Sequence, residues 1–237
     1  MAQQSVIHPS NSQTKVCATL IVMTIQDAYT DWSATYDSDR NLTRDLDQHV
    51  ARQQLAQLRC KAILELGCGT GKNTPLLASI GEHVQALDFA AGMIEKAKAK
   101  VTAPNVTFES ADITKRWPST EQSFDLIVCN LVLEHIQDLN FIFAEACRVL
   151  VEGGRFFICE LHPCRQYLGT QARFQRADDT KHITAFTHHV TDFTNAAVRN
   201  GLMLKELKEW WHEEDAGKPP RLISFLFEKR VKSLPSA

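Results

Sequence analysis

Nine residues, Ile63-Leu64-Glu65-Leu66-Gly67-Cys68-Gly69-Thr70-Gly71, constrain this chain more than any other stretch. An apolar run carrying one acid breaks into three glycines at alternate positions. This reads as a buried strand delivering a carboxylate to a tight turn, where missing β-carbons let a ligand lie against the backbone. A second apolar run, Val84-Gln85-Ala86-Leu87-Asp88, ends on an acid about twenty residues later. Strand, glycine turn, helix, strand and acid in that order form a nucleoside-binding βαβ unit. A dinucleotide loop would place its third glycine at position 72, which is Lys72.

The 237 residues suit one domain with a full core. A formal net charge of −2 provides no basic surface for gripping nucleic acid, and no nucleic-acid partner is expected. The seven cysteines are odd in number and scattered, with no CxxC pair, which points to a reducing, cytoplasmic compartment. Cys159, His162 and Cys164 crowd together but lack a second ligand cluster, so no metal site is expected. The apolar run 16–25 is ten residues long, well short of the ~20 needed to span a bilayer, and no membrane partner is expected. Residues 1–24 read as a disordered tail and 25–237 as a single domain. Met23 stands just before the first helical pattern and is a candidate start. Oligomeric state is not readable.

Along the chain, Tyr29, Trp32 and Tyr36 fall on one face of a helix over 27–37, and a second helix covers 41–59. A strand over 62–66 leads through the glycines to a helix over 73–80, stopped by Gly81 as a C-terminal cap. A strand over 84–88, a helix over 90–100 and a strand over 106–109 follow. Residues 124–130 form a continuous apolar strand of the doubly buried type. A helix over 139–150, a turn at Gly153-Gly154 and a strand over 155–161 complete the alternation. About 160–190 has no clear period and reads as an insertion over the sheet's carboxyl edge. A helix over 192–200, ended by Gly201, precedes a strand pair at 202–210 and 222–229. The expected fold is α/β: a Rossmann-like, doubly wound, seven-stranded sheet, mostly parallel, with an antiparallel last strand.

Five elements in order carry a family resemblance: Glu65 to Gly71; Asp88; Phe89-Ala90-Ala91-Gly92-Met93; Ser110-Ala111-Asp112-Ile113; and Asn130-Leu131-Val132-Leu133-Glu134-His135-Ile136. From about residue 27 to residue 230 the chain resembles the class I S-adenosylmethionine-dependent methyltransferases, in the broad group that includes ubiquinone- and biotin-pathway enzymes. The resemblance implies S-adenosyl-L-methionine as cofactor and a small-molecule acceptor. Gly67 and Gly69 would let the cofactor's aminoacyl part approach, and Glu65 would orient the loop or accept from the ligand's ammonium. Asp88 would take the ribose hydroxyls, Phe89 and Met93 would pack on adenine, and Asp112 with Ile113 would receive the adenine amino group. Asn130 and Leu131 face the methyl group's expected position, and Tyr36 closes over the cofactor or packs the core.

On the acceptor side, His135 and His162 are the candidate catalytic groups; Glu160, Arg165 and Arg173 are the candidate substrate contacts. A protonated acceptor wants a base, whereas a carboxylate wants a bidentate arginine. Transfer to oxygen or nitrogen is expected, with carbon open. A carboxyl methyltransferase of an acyl thioester or small acid is the alternative. An NAD(P)-binding oxidoreductase would share the βαβ unit, but the glycine spacing and terminal strand pair speak against it. No N-P-P-aromatic run follows the fourth strand, so macromolecular methylation is not expected.

Overall fold

The computed structural model describes residues 24–170, 173–176 and 179–231. Residues 1–23, including the candidate start Met23, lie outside the described residues. Two helices precede the sheet. In α1 (Ile25–Trp32) the Thr24 side chain accepts from the Asp27 amide while Asp27 reaches back to Thr24, which satisfies the free amides of the first turn. α1 stops at Trp32, so Tyr36 sits in the turns that follow rather than on the helix. α2 (Leu42–Leu55) starts at Asn41, whose side chain accepts from Thr43 and Arg44.

The remaining elements alternate: β1 (Cys60–Leu66), α3 (Thr74–Ile80), β2 (Gly81–Asp88), α4 (Ala91–Lys100), β3 (Val106–Ser110), β4 (Phe124–Asn130), α5 (Leu139–Val149) and β5 (Leu150–Leu161). Then come α6 (Pro163–Tyr167), a hairpin of β6 (Arg173–Arg176) and β7 (Asp179–His182), α7 (Val190–Arg199), β8 (Leu202–Trp210) and β9 (Leu222–Lys229). The main sheet has seven strands in the order β3-β2-β1-β4-β5-β9-β8. β9 runs antiparallel to both neighbours, and the five strands β1 to β5 are parallel. The expected sheet is the observed one.

Its two faces are read off successive residues. Ile63, Leu126, Val128 and Phe157 pack toward α2 and α3, with Leu46, Val50, Leu77 and Ile80. Leu64, Leu66, Ile127 and Phe156 pack the other way, on Ile142, Phe143 and Ala146 of α5 and Phe193 of α7. The period of two in a doubly covered sheet explains why β4 is apolar throughout.

Two local expectations change. Gly81 is not a left-handed helix cap: its φ is −111° and it opens β2 directly. A β-carbon there would lie 2.8 Å from Ile63 Cδ1, so that buried side-chain end would have to shift to admit one. β5 begins at Leu150 rather than after the glycine pair, and Gly153, at φ +74°, sits in a bulge between the pairs Phe124–Leu150 and Leu126–Arg155.

Candidate active site

The chain direction reverses across the sheet at β1, which lies between β2 and β4, and ligands of such sheets bind at the carboxyl ends beside that point. A cavity of about 390 Å³ opens there. Its floor is the glycine turn: Gly67 and Gly69 have φ of +67° and +54°, a region that side chains disfavour. A β-carbon on Gly69 would meet nothing within 4 Å, so this glycine leaves room beside the backbone. The Asp88 carboxylate holds the turn, with Oδ2 accepting from the Gly69 amide at 2.8 Å and Oδ1 from the Ala90 amide at 2.9 Å. Each oxygen keeps acceptor capacity for a ligand hydroxyl. Burial raises the Asp88 pKa against the pull of these amide bonds.

Phe89, Met93, Ile113, Leu131 and Asp112 line the same cavity. Burial opposes ionisation of Asp112, but bonds from Thr114 and Lys115 outweigh it and hold its pKa below the usual value. Tyr36 also lines it, with the Arg44 guanidinium 3.9 Å from its ring centroid and the Trp32 ring edge-on at 4.8 Å. Burial pushes the Tyr36 phenol up to about 12. Asn130 lines the cavity while its amide donates to Asp47 Oδ1 at 2.6 Å; Asp47, on α2, also receives Asn73 at 2.8 Å. Thus α2 braces the turn from behind.

A family model described as a methyltransferase domain matches residues 64–158, from the glycine strand through β5. This chain carries a class I S-adenosylmethionine-dependent methyltransferase domain. Among relatives, it is 28% identical over 165 residues to the malonyl-[acyl-carrier protein] O-methyltransferase of Bacillus cereus, covering 67% of this chain and 60% of that one. It is 32% identical over 133 residues to the demethylmenaquinone methyltransferase of Clavibacter sepedonicus, covering 54% of each. The matches therefore span less than two thirds of either relative's length. The fold is shared with a structure described as a DhpI–SAH complex, at a TM-score of 0.69 and 20% identity over 87% of this chain and 96% of that one.

The acceptor-side residues of the methyltransferase domain divide. His135 lines the cavity: its Nε2 stands 2.8 Å from the Tyr29 hydroxyl and its Nδ1 2.7 Å from the Thr184 carbonyl. Glu65, Glu160, His162 and Arg165 do not line it. Glu65 lies beneath the turn, 4% exposed, and accepts from Thr74 Oγ1 at 2.7 Å, tying β1 to α3. Glu160 Oε1 accepts from the Val132 and Leu133 amides at 3.0 and 2.9 Å, and so shapes the turn in which Leu131 adopts φ +57°. His162 is the N-cap of α6: Nδ1 accepts from Cys164 and Nε2 faces Glu209 at 3.0 Å. Arg165 pairs with Asp215 at 2.8 Å. The side chain of Arg173 lies outside the described residues.

Tyr29 is the site residue that sequence reasoning passed over. Sequence spacing put it on one face with Trp32 and Tyr36, which was its only signal, and the fold carries it to a partner 106 residues away. Asp47 was also missed, because nothing local distinguishes it from a solvated helix acid.

The buried acids make stability depend on pH. Burial pushes Glu65 and Glu160 up to about 8 and Asp47 to about 6. A pKa raised by folding means the native state holds protons that the unfolded chain releases, so stability falls as pH rises. The contribution is full below the ordinary carboxylate range and is lost as pH climbs through about 8. The thermal midpoint of the ligand-free protein is expected to drop between about pH 6 and about pH 8.5, and Glu65→Gln to flatten that drop. A midpoint constant across that window would contradict the assignment.

Proposed function

We propose that this protein transfers the methyl group of S-adenosylmethionine to a small-molecule acceptor, at oxygen or nitrogen, by in-line displacement. One observation carries the reading: a single cavity joins the Gly67–Gly69 turn, Asp88 and Asp112 to the Tyr29–His135 pair. The bound cofactor would supply an electrophilic methyl carbon on sulfur. The chain's own residues bind and orient. Asp88 takes the ribose hydroxyls, Phe89 and Met93 pack on the adenine, and Asp112 with Ile113 receives its amino group. Alignment of this kind supplies ~7–11 kcal/mol of rate acceleration. α1 lines the cavity with Ile25, Gln26 and Tyr29, and the stretch 183–189 ties down the turn after β4: the Phe186 amide bonds the Glu134 carbonyl at 2.6 Å and His188 Nε2 donates to the Ile136 carbonyl at 2.7 Å.

A carboxyl acceptor is the second reading, favoured by the name of the Bacillus cereus relative. Arg165 is committed to Asp215 and does not supply the clamp that a carboxylate wants, which leaves Arg173 as the candidate. The scattered cysteines support a cytoplasmic setting, and no described helix is long and apolar enough to cross a membrane.

Thermal-shift measurements test the cofactor. S-adenosylhomocysteine at a hundredfold excess over Kd should stabilise the protein by ~2.7 kcal/mol, and NADH should not. Asp88→Ala is expected to weaken S-adenosylhomocysteine by about 10–100-fold, the worth of a charged hydrogen-bond pair. Stabilisation by NADH alone would restore the oxidoreductase reading. Labelled cofactor incubated with small acids, phenols and amines then identifies the acceptor class.

A further inference from the structure

Resting on the methyltransferase reading, we infer that Tyr29 is the catalytic residue that takes the acceptor's proton, that His135 stands behind it as the proton store, and that the acceptor is an uncharged molecule bearing an acidic hydroxyl, a phenol or an enol.

The ring nitrogens of His135 have different partners. Nδ1 faces the Thr184 carbonyl at 2.7 Å, an acceptor with no hydrogen to give, so Nδ1 carries the hydrogen. In the neutral ring Nε2 is then an acceptor, and the Tyr29 hydroxyl donates to it at 2.8 Å. The imidazole side chain is 7% exposed, and Tyr29 covers the one nitrogen that can accept a proton. An acceptor molecule therefore reaches His135 through the Tyr29 oxygen. Both residues line the cavity wall, and the hydroxyl oxygen retains acceptor capacity for a ligand's proton.

The surroundings suit a neutral ligand and a transient cation. Ile25, Val132 and Ile136 line the cavity beside the pair, and the Tyr29 and His135 rings meet edge-on at 5.5 Å. Burial, aided by the nearby acids Glu134, Asp88 and Glu160, raises the Tyr29 pKa well above its ordinary value, which keeps the phenol protonated and donating to the imidazole. Glu134 Oε1 lies 3.8 Å from His135 Nε2, placed to steady an imidazolium. A carboxylate acceptor, already ionised, would have no use for this relay.

The step balances. The acceptor oxygen bonds the methyl carbon as the carbon–sulfur bond breaks, and that electron pair stays on sulfur. The acceptor's proton moves to the Tyr29 oxygen while the Tyr29 proton moves to Nε2. One sulfonium charge is replaced by one imidazolium charge, and His135 returns the proton to solvent as products leave.

The test compares two acceptors of unequal acidity and adds a readout that needs no turnover. With S-adenosylmethionine, Tyr29→Phe should lower kcat/KM for phenol by on the order of 100-fold or more, the usual worth of a positioned proton acceptor. For 4-nitrophenol assayed at about pH 8, where it largely arrives ionised, the loss should shrink below about tenfold. A structural role for Tyr29 would depress both equally, and that result overturns the relay. Failure of the wild type to methylate either phenol, or methylation of benzoate alone, overturns the substrate class. Independently, ¹⁵N NMR of the S-adenosylhomocysteine complex should place the hydrogen of neutral His135 on Nδ1; a hydrogen on Nε2 overturns the geometry. An unchanged circular dichroism spectrum of Tyr29→Phe shows an intact fold, whereas failure of the wild type to bind S-adenosylhomocysteine would instead remove the methyltransferase reading.

Discussion

Gly67→Ala is expected to abolish S-adenosylhomocysteine binding and to destabilise the fold by more than Gly69→Ala, two residues away. Both glycines have positive φ, +67° and +54°, and an alanine at either position carries about 1–3 kcal/mol of backbone strain. Their surroundings separate them. A β-carbon on Gly67 would sit 2.2 Å from Val132 Cγ2, an overlap that cannot persist. Val132 is stiff at χ1, its amide is held by Glu160, and it lines the cavity, so relief must come from moving the turn after β4. Overpacking of this kind adds about 1–3 kcal/mol. At Gly69 the added methyl meets no protein atom and instead occupies ligand space. Urea denaturation should show a loss for both variants, larger for the first by the overpacking term. Calorimetry should find binding lost in the first and weakened in the second. Equal stability losses in the two variants would contradict the geometry.

Asp215→Ala should destabilise the protein by about 3–5 kcal/mol, the usual result of stripping one partner from a buried ion pair. Asp215 is 1% exposed and neutralises two arginines. Arg221 grips it with Nε and Nη2 at 2.7 Å each, and Arg165 Nη2 reaches it at 2.8 Å. Burial opposes ionisation, but the arginines outweigh it and hold the Asp215 pKa down to about 2. A depressed pKa contributes stability above the ordinary aspartate range that is lost as pH falls toward 2. Removing the carboxylate leaves two guanidinium groups that are largely buried, with side chains 11% and 14% exposed. It also removes one tie between α6 and the segment joining β8 to β9, leaving the Arg165 Nε bond to the Pro220 carbonyl in place. Arg221→Met together with Asp215→Leu should recover part of the loss, since an apolar pair of similar volume avoids the desolvated charge. A wild-type unfolding curve for Asp215→Ala would show that the arginines find water instead.

The residues expected to hold the cofactor come together because their positions are set locally. Gly67, Gly69, Asp88, Phe89, Met93, Asp112, Ile113, Asn130 and Leu131 all lie at or just after strand ends, and all line one cavity. A parallel sheet gathers its carboxyl ends along one edge whatever the loops do, so order along the chain sufficed. The acceptor half was not legible. Glu65, Glu160 and His162 also stand at strand ends, yet each is consumed by a structural bond: to Thr74, to the Val132 and Leu133 amides, and to the α6 amide of Cys164. An acid or imidazole has the same name in sequence whether it faces a ligand or an unsatisfied backbone amide. Burial then favours the amide, because an unpaired donor there costs about 1–3 kcal/mol.

By itself, then, the sequence determined the seven-stranded sheet, its antiparallel final strand and the glycine turn at the floor of the cavity. Apolar period, glycine conformation and loop length act over a few residues and leave a written trace. Only the tertiary structure decided which side chains meet across the cavity. Tyr29 from α1, His135 after β4 and Thr184 from the stretch beyond β7 are brought together from separate parts of the chain. Their hydrogen bonds depend on how helices and loops close over the sheet, a packing outcome that no local pattern records.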